Sequence, residues 1–171
     1  MDMDKNYSAL FEPMKIGKLE IKNRLVVPAM DSHYTDENHQ FTNQALNYYG
    51  ERALGGFGLI TTEFLCVSEE GLAEKTQAGI YDDCFIPMLT KLTQRVHENG
   101  SYIFAQLQHS GRLQGKGTTK LPAVGASNIP DVSKPNTIHE LTTEEISVII
   151  DKFVASALRA KKAGFDGVEI H

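Results

Sequence analysis

The sequence lacks the features that mark secreted, membrane-spanning or metal-cluster proteins. Its two cysteines, Cys66 and Cys84, are too few and too far apart for a zinc or iron–sulfur motif. We expect both to be free thiols in the cytoplasm, where disulfides are rare. No apolar run approaches the roughly 20 residues of a membrane span, and residues 1–13 are too acidic and too polar for a signal peptide.

The chain also lacks a basic surface for nucleic acids and the common phosphate-binding or hydrolase motifs. Its net charge is -5, and its longest basic run is Lys161-Lys162, so we expect neither a nucleic-acid partner nor a polybasic membrane patch. The glycines at 55–58 close a helix and precede a strand, the reverse of a dinucleotide fingerprint. No metal site is expected, because no histidines have HxxxH spacing.

The remaining pattern is that of one α/β unit. Hydrophobic residues make up 41% of the 171 positions and charged residues 23%, which is typical of a globular domain. Short apolar runs alternate with helical periodicity, which predicts a parallel sheet with crossover helices. We predict strands at 25–30, 59–64, 102–109 and 167–171, and a hairpin at 14–24. Helices are predicted at 43–54, with Thr42 as the N-cap of this helix, at 85–99 and at 143–163.

The third helix and the loop before it have the clearest local signals. Thr142 and Glu145 have capping-box spacing. The region 110–141 shows no periodicity and is predicted to be a long loop. Apolar residues at helical spacing predict a face that packs on the sheet, namely Ile146, Ile149, Ile150, Phe153, Ala157 and Ala160.

Candidate site residues follow from the rule that parallel α/β folds bind ligands at the carboxyl ends of their strands. Gln106 either faces a ligand or satisfies buried backbone, and His171 either donates to an oxyanion or is simply polar. Asp31 and Glu63 either form an acid–base pair or are solvated loop carboxylates. For His109 the structural interpretation is favoured.

Three segments resemble a known family in order and spacing. They are "LFEPMKIGKLEIKNRLVVPAM", "AQLQHSGR" and "LTTEEISVIIDKFVASALRAKKAGFDGVEIH". They resemble the first half of the old yellow enzyme family of FMN-dependent ene-reductases, which includes 2,4-dienoyl-CoA reductases. The resemblance implies the N-terminal half of a (β/α)8 barrel that holds FMN at its carboxyl mouth, with the hairpin as a plug.

The resemblance also implies roles for particular residues. NADH or NADPH would reduce the flavin, which would pass hydride to an activated C=C bond. Gln106 would bind the pyrimidine edge of the flavin, and His171 would bind the carbonyl oxygen of the substrate. Further flavin contacts, mainly through backbone, are implied for Pro28, Ala29, Met30 and Phe64.

The match covers only part of a barrel. A complete barrel needs about 250 residues, so we expect the chain to be part of a longer protein and to be inactive alone. Open sheet edges predict self-association. The alternative is a non-catalytic half-barrel that serves as an assembly or binding module.

Overall fold

In a computed structural model that describes residues 5–133, 135 and 137–171, eight short strands and three α-helices follow a 3-10 helix at Lys5–Phe11. The strands are β1 (Met14–Ile16), β2 (Leu19–Ile21), β3 (Val26–Val27), β4 (Leu59–Cys66), β5 (Tyr102–Gln108), β6 (Ala123–Gly125), β7 (Ile138–Glu140) and β8 (Gly167–Ile170). The helices are α1 (Asn43–Leu54), α2 (Ile86–His97) and α3 (Thr143–Lys162).

The central sheet is parallel and its strand order is β3-β4-β5-β8. Each neighbouring pair is joined by one α-helix, as expected for successive βα units. The hairpin of β1 and β2 precedes the sheet and turns at Gly17, whose φ of 58° favours glycine. The predicted fold class is therefore confirmed: four parallel strands and three helices preceded by a hairpin.

The core lies between the sheet and the helices. Ile103, Ala105 and Leu107 alternate along β5 and are fully buried in the cluster that includes Leu92 of α2 and Ala160 of α3. Burying one large aliphatic side chain contributes roughly 1.5–3 kcal/mol, so this layer fixes the strand. Because side chains alternate, the even-numbered residues of β5 lie on the sheet face turned away from the helices, called here the open face.

Several predicted boundaries differ from the structure. β3 has two residues rather than the predicted six, and Pro28, which follows it, has no N–H for further pairing. β4 extends to Cys66, with a register shift between Thr61 and Phe64. The region 110–141, predicted to be a loop, contains two short strands, β6 and β7, which pair in parallel. Each strand is too short to show a hydrophobic period in the sequence.

The α3 helix starts as predicted but packs differently. Both hydrogen bonds of the Thr142–Glu145 capping box are present. The small residues Ser156 and Ala160 are its buried positions, whereas Ile146 and Ile150 are exposed, so the predicted packing face is wrong at these two. Apolar residues cover more of this helix than its neighbours can bury, which leaves an exposed stripe of Ile150, Val154 and Leu158.

The two thiols have different surroundings. Both cysteines are free, as predicted; Cys84 is exposed and Cys66 is buried. Burial raises the pKa of the Cys66 thiol to about 12, and the thiol donates to the Ser68 carbonyl at 2.8 Å. Within the described ranges no helix has both the length and the apolar character needed to cross a membrane.

Replacing Thr142 by Ala is expected to lower the free energy of unfolding by about 1 kcal/mol, because the Glu145 N–H loses its acceptor at the start of α3. Urea denaturation followed by circular dichroism measures the change. The matched control is Thr143→Ala, one residue inside the helix. Equal destabilisation by both variants would contradict the assignment of the cap.

Candidate active site at the strand ends

Three side chains line up across the open face of the sheet. The parallel register pairs Phe64 of β4 with Gln106 of β5, and Gln106 with Glu169 of β8. Residues paired in this way point to the same side of a sheet. We call this set of Phe64, Gln106 and Glu169 the inner row; it lies near the carboxyl ends of the strands.

Gln106 is the central residue of the inner row and is only 6% exposed. Its side-chain Nε2 donates to Glu169 Oε1 at 2.5 Å, and its backbone N–H donates to Thr62 Oγ1 at 3.3 Å. Among the described residues, none donates to Gln106 Oε1. The amide is therefore held at its nitrogen end while its oxygen stays open for a donor.

Gln108, two residues further along β5, is occupied differently. Its Oε1 accepts a hydrogen bond from Gln77 Nε2 at 2.8 Å, and Gln77 in turn accepts from the Ala73 N–H at 2.6 Å. Gln108 thus holds the segment after β4 against the sheet. Of these two buried glutamines on the open face, Gln106 is the one with a free acceptor.

His171 follows β8 at the carboxyl edge of the sheet. Its backbone N–H donates to the Leu107 carbonyl at 2.9 Å, which continues the ladder beyond Ile170. Since His171 is two residues after Glu169, alternation places it on the open face as well. The imidazole is exposed and lies one step beyond the inner row.

The segment after β3 reaches the same edge of the sheet. Pro28 and Met30 are exposed and Ala29 is partly buried. A buried carboxylate fixes this segment: Glu63 accepts from the Ser32 N–H at 2.9 Å and also from the Ser32 hydroxyl. The strand ends therefore place Pro28 to Met30 beside β4, on the opposite side from Gln106.

The structure corrects the interpretation of Glu63 as a solvated loop carboxylate. Glu63 is 1% exposed, so it is not solvated. Burial raises its pKa, with a smaller contribution from the charge of Asp31. Its Oε1 has no partner among the described residues, and its backbone N–H donates to the Tyr49 hydroxyl at 2.8 Å. No sequence period indicates this burial, because the register shift in β4 turns Glu63 toward α1.

A second carboxylate, Glu70, has the opposite electrostatic environment. The neighbouring His109 ring holds its pKa far below its ordinary value, and hydrogen bonds from Lys152 and Ser68 act in the same direction. The His109 side chain is 8% exposed, and its Nδ1 accepts from the Gly111 N–H at 3.0 Å, which leaves the proton on Nε2. Nε2 lies 3.9 Å from Glu70 Oε1 and makes no hydrogen bond to the described residues. The contact with Gly111 is a structural one, the interpretation that the sequence favours, and Nε2 takes no part in it.

Asp31 and His33 lie near Glu74, which is distant from both in the sequence. Single ligand atoms of Asp31, His33 and Glu74 lie within 4.8 Å of one another. His33 Nδ1 is 2.7 Å from Thr76 Oγ1. Loops bring these groups together, which is why the HxxxH criterion does not detect them. Proximity of this kind alone does not define a metal site.

The fold and the strand-end residues define the class: one half of a parallel βα barrel whose open face carries a polar amide. A family model described as NADH:flavin oxidoreductase / NADH oxidase matches residues 9–171. The chain therefore belongs to this family, and the resemblance to old yellow enzymes is confirmed.

Curated relatives cover nearly the whole chain. It is 42% identical to a metal reductase of Desulforamulus reducens over 95% of its length and 24% of the relative's. It is 38% identical to an NADH oxidase of Thermoanaerobacter brockii, over 97% of the chain and 26% of the relative. A cinnamate reductase of Clostridium sporogenes is 40% identical over 99% of the chain and 26% of the relative.

Solved structures confirm the half-barrel. The old yellow enzyme homologue of Zymomonas mobilis superposes with a TM-score of 0.88 at 32% identity, covering 95% of this chain and 48% of that one. Morphinone reductase superposes with a TM-score of 0.87 at 27% identity, and the match covers 95% of this chain and 47% of that one. The chain thus spans about half the length of these structures and about a quarter of the curated relatives.

Glu63→Gln is expected to change how stability depends on pH. Because the pKa of Glu63 is raised in the folded protein, the unfolded chain releases the proton first as the pH rises above the ordinary value of 4.5. The free energy of unfolding of the wild type should therefore fall with rising pH relative to Glu63→Gln, whose side chain cannot ionise. Urea denaturation at several pH values measures this difference.

The control for this pH series is Glu144→Gln on the exposed start of α3. It should not reproduce the fall in wild-type stability with rising pH. If the difference in free energy of unfolding between the wild type and Glu63→Gln does not change with pH, the raised pKa assigned to Glu63 is wrong.

Proposed function

We propose that this chain builds the first half of the flavin site in an FMN-dependent ene-reductase. When bound, FMN accepts hydride from NADH or NADPH and delivers it to an activated C=C bond. Membership of the NADH:flavin oxidoreductase family supports the reaction class. The open Gln106 amide at the carboxyl end of the sheet is the observation that supports this function most directly.

The open face suits the pyrimidine edge of a flavin. This edge is an imide, in which an N–H lies between two carbonyl oxygens. Gln106 offers a complementary acceptor, Oε1, and a second N–H donor beside it. Phe64, its neighbour in the inner row, adds apolar surface for the ring. The residues present therefore fit the cofactor that the family uses.

We assign the remaining contacts by position. Pro28, Ala29 and Met30 would follow the flavin along the next strand end, where the Glu63–Ser32 contact fixes their segment. Pro28 lacks an N–H, so backbone contacts here come from its carbonyl and from Ala29 and Met30. His171 would donate to the carbonyl oxygen of the substrate and stabilise negative charge that develops there.

The substrate class we propose is an alkene conjugated to a carbonyl group, such as an enoate, enone or dienoyl compound. The cinnamate reductase relative and a 2-naphthoyl-CoA reductase structure, with a TM-score of 0.88 at 26% identity, support this class. We propose a cytoplasmic location because both thiols are free. Neither a nucleic acid nor a membrane is among the proposed partners.

The 171-residue chain is expected to purify without colour, to bind added FMN only weakly and to lack reductase activity, because it provides one half of the site. Quenching of FMN fluorescence in a titration measures this affinity. Gln106→Leu should weaken binding about tenfold through the loss of one or two hydrogen bonds. The control Gln94→Leu, on the exposed side of α2, should match the wild type.

Two results would contradict this assignment. One is an affinity for FMN that Gln106→Leu leaves unchanged, and the other is no quenching by the wild-type chain at any FMN concentration. A chain that purifies yellow with one tightly held FMN would contradict the half-site proposal instead.

We also propose that the isolated chain self-associates through the edge of its central sheet at β8. β8 is an edge strand of the described sheet, and Ile170 on it is 67% exposed. Sedimentation velocity is expected to show dimers that Ile170→Lys weakens, since an edge lysine opposes strand pairing. The control Ile129→Lys changes a loop residue that is 62% exposed. A monomeric wild type, or equal effects of both variants, would contradict the proposal.

A further inference from the structure

We propose that Glu169 is a positioning residue that fixes which end of the Gln106 amide faces a bound ligand. The inference rests on the proposed flavin site and deepens it, since it assigns a specific recognition role to a residue outside the set of direct contacts. It arises from the hydrogen bond between Gln106 Nε2 and Glu169 Oε1 in the inner row.

A glutamine amide has nearly the same shape in its two orientations, which differ only by exchange of oxygen and nitrogen. An ionised carboxylate can only accept hydrogen bonds. With Glu169 as the neighbour, the NH2 group must face β8 and the oxygen must face away. An amide or an alcohol in place of Glu169 would not impose this choice, because either can donate as well as accept.

The backbone keeps the two side chains together. Gln106 and Glu169 are register partners, and hydrogen bonds on either side of the pair hold the strands in place. The Asp166 N–H donates to Ile103 O at 3.0 Å, and the His171 N–H donates to Leu107 O at 2.9 Å. The pair therefore depends on strand register as well as on side-chain rotamers.

An aromatic ring next to Gln106 offers its side-chain amide no hydrogen-bond partner. Two residues earlier along both strands, Phe104 is paired with Gly167, and a Cβ on Gly167 would lie 2.7 Å from the Phe104 ring. The ring thus covers the glycine and forms an apolar floor next to Gln106. Within the described part of the chain, Glu169 is the polar side chain that binds Gln106 Nε2.

The orientation of the Gln106 amide determines which hydrogen-bonding pattern a ligand must present to it. The free Oε1 accepts from an imide N–H, and the second Nε2–H donates to an adjacent carbonyl oxygen. In the reverse orientation, the amide nitrogen would meet the imide N–H, and two donors would face each other. Glu169 therefore favours ligands that present N–H at this point, and it disfavours those that carry an acceptor or a methyl group there.

The first test observes the amide directly in the 171-residue chain without flavin. Nitrogen–proton NMR spectra show the two Nε2 protons of Gln106, identified by their loss in Gln106→Leu. One of them should be displaced downfield in the wild type, and Glu169→Ala should remove that displacement. Glu169→Gln should give an intermediate position, and the exposed Glu98→Ala should change nothing. Unchanged Gln106 resonances in Glu169→Ala would overturn the inference.

The second test uses lumiflavin and 3-methyllumiflavin, which lacks the imide N–H, in fluorescence titrations. The wild type should bind lumiflavin about tenfold more tightly than the methylated compound. Glu169→Ala should reduce this ratio to about threefold, and a ratio equal to that of the wild type would overturn the inference. If the wild type binds neither compound, the proposed flavin site is wrong, while the NMR result still decides the orientation of the amide.

Discussion

Parallel pairing of β5 with β4 on one side and β8 on the other sets the positions of the inner row and of His171. A shift of one residue would turn Gln106 into the helix layer and bring Leu107 to the open face. Burial of Ile103, Ala105 and Leu107 under the helices opposes such a shift, because it would expose all three. The hydrophobic layer on one face thus positions the polar residues on the other.

Two glutamates near the strand ends show how surroundings decide the behaviour of the same side chain. Glu63 is buried and accepts hydrogen bonds from Ser32, and burial raises its pKa. Glu70 contacts His109 and Lys152, and its pKa is lowered. The first carboxylate fixes the segment that follows β3, and the second ties α3 to the loop after β4. Both support the strand ends from outside the open face.

The sequence alone predicted the order of strands and helices, because buried strands and amphipathic helices have distinct periods. It also placed Gln106 and His171 at strand ends, as the structure does. It did not predict the burial of Glu63, which depends on a register shift within β4, or the exposure of Ile150, which depends on which face of α3 finds a neighbour. The pairing of Gln106 with Glu169 required knowledge of which strands are adjacent.

The central claim is that the open face of the sheet, with Gln106 at its centre, is the flavin-binding surface of this chain. The most direct measurement is the electron density of FMN in crystals of the chain soaked at high FMN concentration. The account predicts density for the ring system against the inner row, with its imide edge at Gln106. Well-defined FMN density elsewhere on the chain, with the open face empty, would contradict it.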